Sequence, residues 1–261
     1  MSEIERETGR LDVDGVNIYY ERAGTGEHVV LLLPGVLGTV QIEFKLQFQA
    51  FDLSKFTLVS WDPPGFGLSR PPERIYNNCY IRDGDLIVKF MKALGYEKYS
   101  IMGFSDSGRT SMILAARYPE VMRKLVIWGT CAFIGDKEKK TLSLCKDVAG
   151  WSNDRKNIFE PVYKEDLQMV WGNWVDFNNR LQDFATPYLK DIKCPTFILH
   201  GESDIVTPME PHAMYLKKNI SGARLVIFPK APHTCHQEKA SDFKCNQTLN
   251  LVNTGFTSYL N

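Results

Sequence analysis

Three residues, each just after a separate short apolar run, have the types and order to do chemistry together. Ser105 lies where Tyr99-Ser100-Ile101-Met102 turns through Gly103-Phe104-Ser105-Asp106-Ser107-Gly108 into a helix-type run. Asp204 ends His200-Gly201-Glu202-Ser203-Asp204, after the strand-like Thr196-Phe197-Ile198-Leu199. His233 ends Pro229-Lys230-Ala231-Pro232-His233, after Leu225-Val226-Ile227-Phe228. A serine hydroxyl is a poor nucleophile at neutral pH because it stays protonated. It becomes one when a neutral imidazole takes its proton and a carboxylate holds that imidazole in the right tautomer. The turn around Ser105 has the form of a nucleophile elbow, in which a tight strand-to-helix turn lifts the serine Oγ above a parallel sheet. The pattern predicts Ser105 as nucleophile, His233 as base and Asp204 as the orienting acid of a serine hydrolase.

The elbow departs from G-x-S-x-G in one place: Ser107 stands where the last glycine would be, and Gly108 follows. Serine is small enough to fit that position. His236 is the rival base; His233 is preferred because it is nearer the strand end, while His236 is expected to open the last helix. Asp204 is preferred over Glu202, which is too close to the strand. Cys235, two residues from His233, is read as accessible but as a weaker nucleophile candidate than Ser105.

A tetrahedral oxyanion needs preorganised N–H donors. The backbone amide of Asp106 is one expected donor. The second is expected from Pro34-Gly35-Val36-Leu37-Gly38, through Val36 or Leu37. Asp62-Pro63-Pro64-Gly65-Phe66-Gly67 reads as a second rigid turn near the site, scaffold rather than chemistry. Asp106 itself admits two readings. A carboxylate in the first turn of a helix is favoured by the macrodipole. Beside a nucleophile it could also bind a protonated amine on the acyl half of an ester, a charge-assisted contact worth about 1.5–3 kcal/mol.

Such loops need strands beneath them. Short, nearly continuous apolar runs at Val29–Leu33, Phe56–Trp61, Ser100–Gly103, Leu125–Trp128, Thr196–Leu199 and Leu225–Phe228 predict strands buried on both faces, the mark of a mostly parallel sheet flanked by helices. Leu11 to Tyr20 reads as a hairpin turning at Asp14-Gly15. Asp83–Leu94, closed by Gly95, and Gly108–Arg117, stopped by Pro119, read as helices. The strand pattern breaks between about Cys131 and Leu189, a stretch with Trp151, Trp171 and Trp174. Three tryptophans argue for a packed helical insertion, so the prediction is an α/β core at residues 1–130 and 190–261 with a helical lid at 131–189.

Composition narrows the class. The 261 residues are 44% hydrophobic and 24% charged, with 31 basic and 31 acidic side chains and no block of one sign. No nucleic-acid partner is expected from that balance, and no apolar run is long enough to span a bilayer. Six scattered cysteines without CxxC spacing imply neither a zinc site nor a disulfide framework. No metal or organic cofactor is expected. The acidic N-terminus resembles no signal peptide; the expectation is a cytoplasmic monomer, or a mitochondrial protein if a targeting segment is missing from this sequence.

Leu31–Gly38, Trp61–Pro72, Gly103–Gly108, His200–Asp204 and the loop around His233 resemble the biphenyl hydrolase-like (valacyclovir hydrolase) family. The likeness spans nearly the whole chain, including Trp151-Ser152 and Trp174-Val175-Asp176. Departures are Phe104 for the usual Trp, Ser107 for Gly, and a C-terminal stretch that matches weakly. The resemblance implies an α/β-hydrolase fold and hydrolysis of α-amino acid esters, with Ser105, Asp204 and His233 at the triad positions and Asp106 at that of the amine-binding acid. The expected substrate is a small carboxylic ester cleaved through an acyl-enzyme on Ser105. Two alternatives stand beside it: a carbon–carbon bond hydrolase of the same fold, and a non-catalytic ligand-binding homologue.

Overall fold

In the computed structural model, which describes residues 5–239 and Phe243, the chain opens with β1 (Glu7–Val13) and β2 (Val16–Ala23). Asp14 and Gly15 between them both take positive φ, 54° and 79°. That is the two-residue turn whose twist matches antiparallel strands. Then come β3 (His28–Leu33), the short helices α1 (Val40–Glu43) and α2 (Lys45–Ala50), β4 (Phe56–Trp61), α3 (Cys79–Ala93), β5 (Tyr99–Phe104), α4 (Ser105–Arg117) and β6 (Met122–Trp128). Three α-helices, with short 3-10 turns between and after them, follow before the next strand: α5 (Asp136–Leu144), α6 (Asn153–Tyr163) and α7 (Leu167–Arg180). The described chain continues with β7 (Thr196–Gly201), α8 (Met214–Asn219), β8 (Arg224–Phe228) and α9 (Cys235–Glu238). The C-terminal stretch noted above, Phe243 apart, and Cys245 lie outside the described residues.

The eight strands among the described residues form one sheet in the order β1-β2-β4-β3-β5-β6-β7-β8. β1, β2 and β4 pair antiparallel, and every pairing from β4 across to β8 is parallel. The fold is thus the α/β-hydrolase arrangement. Successive side chains of a strand point to opposite faces, and the central strands show why continuous apolarity was required. Val29, Leu31 and Leu33 of β3 enter the core on one face with Ile101, Leu125 and Ile198. Val30 and Leu32 enter the other with Met102, Val126 and Leu199.

Each of the six apolar runs lies in a strand. The helix expected at Asp83–Leu94 begins earlier, at Cys79, because Tyr80 and Cys79 are also buried, and it stops before Gly95 at φ 86°. A third apolar cluster joins Trp151, Tyr163, Leu167, Trp171, Trp174 and Val175 to Leu37 and Phe66, so α6 and α7 pack on the turns after β3 and β4. Among the described residues no helix is long and apolar enough to cross a membrane.

Candidate active site

Ser105 opens α4 with φ 50°, a left-handed conformation strained for any residue with a Cβ. The neighbouring positions show what the tight turn demands. A Cβ on Gly103 would lie 2.2 Å from Ser111 Oγ, and one on Gly108 would lie 2.6 Å from Thr130. Those two glycines let α4 press against β5 and against the loop after β6. Ser107, between them, is half-buried, so its side chain is tolerated where the elbow pattern has glycine.

The loops after β5, β7 and β8 bring three side chains into one line. Ser105 Oγ is 3.0 Å from His233 Nε2, and His233 Nδ1 is 2.8 Å from Asp204 Oδ2. Asp204 is buried and held from three directions: Oδ1 accepts from the backbone N–H groups of Val206 (2.8 Å) and Thr207 (2.9 Å), and Oδ2 from the Thr207 hydroxyl (2.8 Å). Burial alone would raise its pKa. The hydrogen bond and electrostatic attraction of the His233 ring, with the hydrogen bonds from Thr207, outweigh that and hold it below the usual carboxylate range. An ionised carboxylate only accepts, so His233 Nδ1 carries the proton and Nε2 offers its lone pair to the Ser105 hydroxyl. Thr207, three residues after Asp204, was missed in the sequence; an aspartate followed by a threonine in a tight loop was the available signal.

The rival candidates lie elsewhere. His236 is fully buried in α9, accepting from Trp128 Nε1 (3.0 Å) and facing Glu43 Oε2 (3.1 Å), with the Phe104 ring tilted against it, centroids 4.5 Å apart. Glu202 is exposed and accepts from the Lys230 backbone N–H at 2.9 Å. Cys235 corrects the sequence reading: it is fully buried, not accessible, and burial pushes its thiol up to about 12.

The turn after β3 is closed by a hydrogen bond from Gly38 N–H to the Gly35 carbonyl (3.0 Å), with Leu37 at φ 59°. A Cβ on Gly35 would lie 3.2 Å from Ser105 Cβ, which sets this turn directly against the serine. Val36 is half-buried and Leu37 buried. Asp62 braces the same region, accepting from Val40 N–H (2.9 Å) and Leu68 N–H (2.7 Å).

Asp106 is buried, and its Oδ1 takes every one of its hydrogen bonds to described side chains. Tyr80 Oη donates at 2.9 Å, Trp174 Nε1 of α7 at 3.0 Å, and Arg109 Nη1 pairs at 3.3 Å. Arg109 is the residue the sequence reading passed over. A cation one helical turn after Asp106, on the same helix face, was the signal.

The geometry fits what known proteins show. The family model for the alpha/beta hydrolase fold matches residues 28–144. Serine hydrolase BPHL of Mus musculus is 37% identical over 243 residues, covering 90% of this chain and 83% of that protein. Its Homo sapiens counterpart is 35% identical over the same shares. Among solved structures, a serine hydrolase from the polyaromatic hydrocarbon-degrading bacterium Cycloclasticus zankles superposes with a TM-score of 0.79, covering 94% of this chain and 97% of that one. At 19% identity, that likeness speaks for the fold alone. The BPHL matches carry more, and with them the conclusion that this chain is an α/β-fold hydrolase belonging to the family of serine hydrolase BPHL.

Proposed function

We propose that the protein is a serine esterase that cleaves small carboxylic esters, with a preference for α-amino acid esters, through an acyl-enzyme on Ser105. The observation that carries this reading is the unbroken hydrogen-bonded line from Asp204 through His233 to Ser105. In the proposed reaction, His233 Nε2 takes the hydroxyl proton as Ser105 Oγ bonds to the ester carbon. The negative charge that builds on the carbonyl oxygen is met by the Asp106 backbone N–H and by that of Val36 or Leu37. As the tetrahedral intermediate collapses, the ester C–O bond breaks and the leaving alkoxide receives the proton from His233. Water then attacks the acyl group by the same base, releasing the acid and restoring the serine.

The amine preference is supported by the position of Asp106, adjacent to the nucleophile, and by its correspondence with the family's amine-binding acid. Helices α5–α7 serve as the cover over the acyl pocket, since α7 reaches Asp106 through Trp174. Ser105→Ala is expected to abolish both turnover and labelling by a fluorophosphonate probe. Labelling retained at another residue would mean that the nucleophile is misassigned. Assayed side by side, an amino-acid ester should be consumed and a ring-cleavage diketone left intact; the reverse would make the protein a carbon–carbon bond hydrolase.

A further inference from the structure

Asp106 does not stand alone. Arg109, one turn along α4, is buried, and its Nη1 donates to Tyr80 Oη and to Asn178 Oδ1, both at 2.6 Å, while pairing with Asp106 Oδ1 at 3.3 Å. Its Nη2 reaches only Cys131 Sγ at 3.5 Å, and its Nε has no partner among the described residues. The guanidinium lies over the Phe184 ring, 4.7 Å from its centroid. The other buried cation nearby, Arg74, is engaged with its own carboxylate, Asp83, at 2.6 Å. Asp106 and Arg109 therefore form one buried pair with no net charge. A protonated amine approaching the carboxylate meets the guanidinium immediately behind it, and in a poorly solvated pocket like charges at such range repel strongly.

We propose that Arg109 determines how strongly this site selects a protonated amine, by offsetting the charge of Asp106 from inside the protein and holding Oδ1 turned inward. The inference rests on the reading that Asp106 faces the acyl half of the substrate. It makes Arg109 a positioning residue for specificity, one that narrows the gap between amino and neutral acyl groups.

The measurement is the ratio of kcat/KM for L-alanine p-nitrophenyl ester to kcat/KM for p-nitrophenyl propionate. Arg109→Met should raise this ratio about tenfold, because a carboxylate freed of its partner attracts a cation more strongly. Arg109→Lys, which keeps the charge, should stay near the wild-type ratio, and the double variant R109M/D106N should fall to the ratio of D106N. Asn178→Asp, which draws the guanidinium away and adds a negative charge, should also raise the ratio; it carries the test if R109M does not fold. An unchanged or lower ratio in folded R109M, an equal rise in R109K, or an unchanged ratio in N178D when R109M is unfolded would overturn the proposal. The two readings fail separately. If D106N lowers the ratio and R109M leaves it alone, Arg109 loses its role and Asp106 keeps its own. If wild type shows no amine preference yet R109M gains one that D106N removes, the proposed preference falls while Arg109 keeps its role. If no variant moves the ratio, both fall.

Discussion

Gly129 and His233 touch across a gap that only a missing side chain leaves: a Cβ on Gly129 would lie 2.9 Å from His233 Cε1 and 3.1 Å from Nδ1. Gly129 also takes φ 56°, so an alanine there is strained as well as crowded. Gly129→Ala should push the imidazole off the Ser105–Asp204 line. A displacement of about 1 Å in such a constellation costs about 100-fold. The loss is expected in kcat rather than KM, with fluorophosphonate labelling slowed in parallel; unchanged labelling would show that the base does not depend on this contact.

Asp204→Asn should leave the loop in place, since Val206 and Thr207 can still donate to an amide oxygen. The amide can, however, donate to His233 Nδ1 and so favour the tautomer whose Nε2 no longer accepts. A fall in kcat of about 10⁴-fold is expected from that change. Steady-state kinetics together with a melt close to that of wild type would separate it from simple unfolding.

The second histidine–carboxylate pair makes the opposite prediction. His236 and Glu43 tie α9 to α1 behind the site and reach neither Ser105 nor Asp204. His236→Leu leaves the Glu43 carboxylate and the Trp128 indole short of a partner, so it should destabilise the protein by about 2–4 kcal/mol. Denaturant titration measures that cost. Stoichiometric fluorophosphonate labelling should survive in the folded fraction, and its loss would reopen the assignment of the base.

His28, at the start of β3, predicts how stability responds to acid. Burial, aided by the nearby Arg123 and Lys124, lowers its pKa from 6.5 to about 4. The folded protein therefore resists a proton that the unfolded chain accepts. The stability His28 contributes is complete above about pH 6.5 and is lost as pH falls toward 4. His28→Phe should flatten the decline of Tm between those values, as calorimetry at several pH values would reveal; an unaltered slope would assign the decline to other groups.

The strands were legible because burial on both faces leaves a local signature, four to six mostly apolar residues in a row. The elbow was legible because a strained turn needs small residues at fixed offsets, and Gly103 and Gly108 occupy the tight ones. Choosing His233 over His236, and Asp204 over Glu202, needed only distance from a strand end. What stayed hidden depends on elements that meet only in the fold. The burial of Cys235 and the partnership of His236 with Glu43 join residues almost two hundred positions apart. The ion pair within α4 was local, yet its meaning required Tyr80 and Asn178 from two other helices.

Tyr163, at the end of α6, donates its hydroxyl to the Leu37 carbonyl at 2.9 Å and accepts from Gly67 N–H at 3.2 Å. One phenol thus ties α6 to two turns, one of them the turn set against Ser105. Any upward swing of α6 must let go of Leu37 first. If α5–α7 are the cover proposed above, letting a substrate in and setting the Val36–Leu37 turn would be one mechanical event.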